Sequence, residues 1–131
     1  ITSQTIAQYF STLTALEISY FQQALGYGSV IEHVTASLQN AMEANSPDSE
    51  YAVHIALVSS LQNEYLLEIH KKLCNRFYLY ALTHYWKPNV VEEILKGLFH
   101  AVRKSDSDSV SANLNAYFNY YQKVMMKGRG Q

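Results

Sequence analysis

Ser46-Pro47-Asp48-Ser49-Glu50-Tyr51-Ala52-Val53-His54-Ile55-Ala56-Leu57-Val58-Ser59-Ser60-Leu61-Gln62-Asn63 is the stretch that decides the fold. The Ser46 hydroxyl can accept a hydrogen bond from a first-turn amide, and Pro47 brings the fixed φ suited to a first helical residue, so a helix starts here. Tyr51, His54, Ile55 and Val58 then recur at threes and fours, as one stripe of a 3.6-residue repeat. A half-buried strand would alternate in twos, and this stretch does not.

The same period runs outward in both directions. Ile6, Tyr9, Phe10, Leu13, Leu16, Tyr20 and Leu25 form one helical stripe, and Val30, Val34, Leu38 and Met42 form the next, with Gly26 and Gly28 between them. Downstream, a long helix is expected from about Asn63 to Trp86, carrying Leu66, Leu67, Ile69, Leu73, Phe77 and Tyr80 toward the core. Pro88 is expected to open a helix holding Val90, Val91, Ile94, Leu95, Leu98 and Val102, and a last helix runs from about Ser107 to Met126. The spacing predicts an all-α fold: an antiparallel bundle of six to seven helices, one domain over residues 1–131, with no sheet.

Composition narrows the function. Hydrophobic residues make up 48% of the chain and charged residues 16%, enough apolar surface for a core and too little charge for a disordered segment. The net charge is −1, and the Lys/Arg residues are scattered except for Lys123, Lys127 and Arg129, so this segment has no basic stripe with which to hold DNA. Cys74 is the sole cysteine, which excludes a disulfide framework, and its place in an apolar stripe suits a buried, inert thiol. No apolar run is long enough to span a bilayer, so no membrane partner is expected and a cytoplasmic location is. The chain opens Ile1-Thr2-Ser3 without methionine and reads as part of something longer. The eleven tyrosines fall mainly at core-facing helical positions, where a ring packs and its hydroxyl stays wet. His33, His70, His84 and His100 are dispersed and read as surface or boundary residues.

Glu50 with His54, Leu16-Glu17, Asn63, Ala101-Val102, Asp106/Asp108 and Ala112 together form a recognisable pattern. It resembles the ligand-binding domain that follows the winged helix in the FadR branch of the GntR transcription regulators. That family's signature is an acid, three residues, a histidine, then an apolar helix ending in a small-Gly-Asn turn. The resemblance implies an effector-sensing and dimerisation domain with no catalytic activity. Its partners would be a small-molecule effector (an organic acid or acyl-type ligand), a second copy of the chain, and DNA only through a winged-helix domain before Ile1.

Glu50 and His54, four apart, face the same way and can act together on one atom or simply as a helical pair. In many family members the matching acid and histidine, with two further histidines, hold a divalent metal. The third of those positions falls here at Leu95 and the fourth at Tyr117 or Asn119, none of them a good replacement for histidine. No cofactor and no tightly held metal are therefore expected, Glu50 and His54 being the residual candidates. The expected effector pocket is an interior cavity lined by Glu50, His54, Leu95, Tyr117 and Asn119. Leu13 stands where the family often has an arginine, which points to a more apolar effector, with Arg76 as the remaining anion contact. In this reading His54→Leu removes the effector response and leaves the bundle folded.

Two other classes compete. A phosphotransfer or scaffold module would need an exposed His54 followed by basic and small residues, and Ile55-Ala56-Leu57 follows instead. A helical-bundle metalloprotein would want Glu-x-x-His from two helices, and the sequence has no such pair. A glycine-rich phosphate loop is also absent from the sequence.

Overall fold

The computed structural model describes residues 1–128, and Arg129 of the basic cluster lies outside them. Those residues form α1 (Ser3–Ala24), α2 (Gly28–Ala44), α3 (Pro47–Ser60), α4 (Glu64–Cys74), α5 (Phe77–Tyr85), α6 (Glu92–Arg103) and α7 (Ser107–Gly128), and they contain no strand. The predicted all-α bundle is what the chain forms. α7 lies along α1, α5 and α6, while α3 lies along α1, α2 and α4. Ile6, Phe10, Leu13 and Phe21 of α1 meet Leu38, Leu57, Leu82, Leu114 and Phe118 in one continuous core.

The helix starts follow from local chemistry. Ser46 Oγ accepts the Ser49 amide (3.2 Å) and Ser49 Oγ returns the favour to the Ser46 amide, a closed capping box with Pro47 at the first helical position. Asn63 Oδ1 accepts from the amides of both Tyr65 and Leu66 at 3.1 Å, so α4 begins on the asparagine of the motif.

Three expectations need correction. The helix expected over 63–86 is two helices, broken at Asn75-Arg76, where Arg76 leaves helical geometry (φ −132°, ψ −119°). The break is held from outside: the Tyr9 hydroxyl of α1 donates to the Leu73 carbonyl and accepts the Tyr78 amide. One side chain thus meets an orphan carbonyl at the end of α4 and an orphan amide at the start of α5. α6 starts at Glu92 rather than at Pro88, and Pro88-Asn89 lies in a preceding turn with Asn89 at φ 68°. Ile69 and Tyr80, expected in the core, are exposed: α4 turns its His70–Cys74 face inward and leaves Ile69 outside, and the break resets the phase of α5 and leaves Tyr80 outside.

Candidate functional site

α3 carries two neighbouring clusters. On its first turn Glu50 is buried, and its carboxylate is fully engaged: Tyr117 and Tyr121 donate hydroxyls to Oε1 (both 2.8 Å), and the Trp86 indole N–H donates to Oε2 (2.6 Å). Tyr78 extends the network, its hydroxyl 2.6 Å from that of Tyr117. These phenols come from α5 and α7, so Glu50 ties three helices together through charge-assisted bonds. Burial, and then the negative charge of Glu50, push the pKa values of Tyr78 and Tyr121 far above the ordinary phenol value. At Tyr117 burial is joined by Tyr78 and then by Glu50. All three hydroxyls stay protonated and available as donors.

One turn on, His54 is buried as expected, yet its partner is not Glu50. His54 Nδ1 lies 2.7 and 2.6 Å from the two carboxylate oxygens of Glu17 on α1. His70 of α4 reaches the same carboxylate, Nε2 to Oε2, at 2.9 Å. Burial would raise the Glu17 pKa, but attraction to His54 and hydrogen bonds from both imidazoles outweigh it and hold the carboxyl at about 2. Glu17 is therefore a permanent anion in the core, clamped between two rings. The rings of Tyr78, Tyr117 and Phe118 enclose His54 at centroid distances of 5.0–5.5 Å, so the Glu50 and Glu17 clusters share walls.

Of the residues expected to line the pocket, Glu50, His54 and Tyr117 come together. Leu95 is buried in the apolar core of α6 and brings no polar atom. Asn119 is exposed on α7, two residues from the inward-facing Tyr117, a 200° turn on a helix. Arg76 is also exposed, its guanidinium 5.7 Å from the Phe77 ring centroid, in a groove with Thr5, Gln8 and Tyr9. Five described grooves open at the surface, and none of Glu50, His54 and Leu95 lines any of them. Where a cavity was expected, phenol and indole groups fill the space around Glu50. One groove, of about 320 Å³, has a wall that includes His84, Trp86, Lys87, Tyr120 and Lys127, and its Trp86 is the residue whose indole bonds Glu50.

The divalent metal implied by the resemblance does not fit these residues. Glu50 already accepts three hydrogen bonds, Leu95 has no donor atom, and Tyr117 is a neutral phenol bonded to the carboxylate that should share the ion with it.

Glu17, His70, Tyr78, Tyr121 and Trp86 were not on the expected list. Glu17 was findable: it falls four residues after Leu13 and three before Tyr20, an acid inside the buried stripe of α1. His70 was expected near the surface and has no exposure at all, because the end of α4 turns its His70–Cys74 face inward. No protein-family profile, no curated protein and no solved structure matches the chain. No described helix is long and apolar enough to cross a membrane.

Proposed function

We propose that this chain is the effector-sensing and dimerisation domain of a GntR-type transcription regulator, non-catalytic, binding a small organic-acid or acyl-type ligand in the bundle and acting on DNA through a winged-helix domain. The observation that carries the reading is the direct bond from Tyr117 to Glu50 beside His54. Three of the four positions that the family resemblance marks as a ligand site meet in one buried cluster between α3 and α7. The cluster is polar and closed, so a ligand enters by displacing Trp86 and the phenols and taking over their hydrogen bonds to Glu50. Such a displacement moves α5 and α7 relative to α3, and unequal affinity for the two arrangements is what a sensing domain requires. A phosphotransfer role needs an accessible imidazole, and His54 is 3% exposed.

The test is a thermal-shift screen of the chain against small organic acids and acyl carboxylates. A true ligand at about 100 times its Kd adds about 2.7 kcal/mol of stability, and Trp86→Phe and Tyr117→Phe should alter that gain. If no acid or acyl ligand raises the melting temperature, the sensing role falls.

A further inference from the structure

Glu17 is held by two imidazoles, His54 Nδ1 against both carboxylate oxygens and His70 Nε2 against Oε2. His70 is bonded on one side only. It lends Nε2 to an oxygen that already has a partner, while its Nδ1 is fully buried with no partner, the one such side-chain nitrogen or oxygen among the described residues. A half-satisfied imidazole in a dry core costs more than a leucine of similar size would. One turn further along α4 stands Cys74, also without exposure, and one ligand atom each from Glu17, His70 and Cys74 lies within 4.8 Å of the others.

We propose that Glu17, His70 and Cys74 form a binding site for one divalent transition-metal ion of the zinc class. The donor set is sulfur, nitrogen and oxygen, the combination that borderline ions such as zinc take from proteins. The charges also match. A thiolate and a carboxylate cancel the two positive charges of the ion, so the loaded site is neutral and can stay in the core. Around a zinc ion at about 2.0–2.3 Å from each ligand, neighbouring donors stand roughly 3.5 Å apart. Reaching that spacing parts His70 Nε2 from Glu17 Oε2, 2.9 Å apart, by about half an ångström. Cys74 must lose its proton. Burial, and then the Glu17 charge, hold it as a thiol when no metal is present, so binding releases one proton to solvent while the sulfur lone pair forms the bond to the ion. His54 is a positioning residue here: its bond to Glu17 aims the carboxylate. The site uses neither Glu50 nor Tyr117, and it does not depend on the regulator reading. Because all three ligands are buried, loading accompanies folding.

Cobalt(II) is the probe, since its bond to a thiolate gives a near-ultraviolet charge-transfer band and Cys74 is the only thiol in the chain. The full chain, refolded under reducing conditions with cobalt and no chelator, should take up one ion per chain, show that band, and lose it to one equivalent of zinc. Cys74→Ser should abolish the band and weaken cobalt binding at least about 10-fold. His54→Gln, one shell out, should weaken it about 10- to 100-fold while the band remains. Circular dichroism on each variant shows that it has folded. Should a variant fail to fold, the wild-type chain still decides: refolding with zinc should raise its melting temperature. Absence of the band, half an ion per chain (one metal bridging two thiols), or equal cobalt affinity in folded Cys74→Ser would each overturn the proposal.

Discussion

At the scale of single residues, the chemistry centres on two buried carboxylates that α3 and α1 bring close together. Glu17 changes what a substitution at His54 does. From the sequence alone His54→Leu looks like a folded, unresponsive variant. With Glu17 in place it strips a fully buried anion of its main partner, and the expected cost is about 3–5 kcal/mol, read as a fall in the urea midpoint. The same carboxylate sets an acid limit. Its pKa lies at about 2 in the folded chain against an ordinary 4.5, so its contribution to stability is complete above pH 4.5 and is lost as pH falls from there toward 2. Urea titrations across that window should show a steep loss for the wild type and a flatter curve for Glu17→Gln, which has nothing to protonate. Equal slopes would mean that Glu17 is not the buried anion described. The tyrosines set the opposite limit. Tyr9, Tyr78, Tyr117 and Tyr121 have raised pKa values, so the stability they carry is present below pH 10 and is lost as pH rises above it. An alkaline absorbance titration should find at least four of the eleven tyrosines un-ionised until the chain unfolds. What the sequence could show at this scale was the pairing of Glu50 and His54 on one helix. It could not show that each bonds elsewhere, because those bonds span 36 to 71 residues.

At the scale of elements, period and caps were legible and the break between α4 and α5 was not. Ser46-Pro47 and Asn63 act through neighbours two or three residues away, so their effect can be read locally. Asn75-Arg76 carries neither proline nor glycine, and the group that holds the break open is Tyr9, 64 residues before Leu73. Tyr9→Phe keeps the ring packing against Phe10 and Phe77 and deletes only the hydroxyl. It should cost about 1–3 kcal/mol through the two backbone groups left bare, and the Tyr78 amide should exchange with deuterium faster than its neighbours in α5. Unchanged exchange at that amide would show that the break does not depend on Tyr9. Gln62 offers a gain in the other direction. It occupies the left-handed region at φ 55°, in the turn where the resemblance places a glycine. Relief of that strain exceeds the added freedom of the unfolded chain, so Gln62→Gly should stabilise by up to about 1 kcal/mol in the same urea assay.

At the scale of the whole molecule, the bundle leaves apolar surface that its own core does not use. Tyr65 is 83% exposed and Ile69 57%, one turn apart on the outer side of α4, and Leu61, Leu66 and Leu73 nearby are only partly covered. α4 packs on α3 and α5 and meets α1 through His70 and Leu73, so its His70–Cys74 face is the inner one and the sequence stripe placing Ile69 in the core misjudged its direction. A second copy is the occupant that the family resemblance implies, and two-fold pairing would set this patch against itself. Each such side chain removed from water is worth about 1.5–3 kcal/mol, so two from each copy supply much of what association costs. A stable contact needs roughly 1,000 Å² or more, which brings in the partly covered leucines as well. The wild-type chain should therefore sediment at twice 14.9 kDa at micromolar concentration. Tyr65→Lys with Ile69→Lys should return it to 14.9 kDa with an unchanged helical spectrum, because neither side chain supports the core. A wild type that stays at 14.9 kDa at high concentration would remove the dimer. A dimer that survives both lysines would put its interface on another face of the bundle.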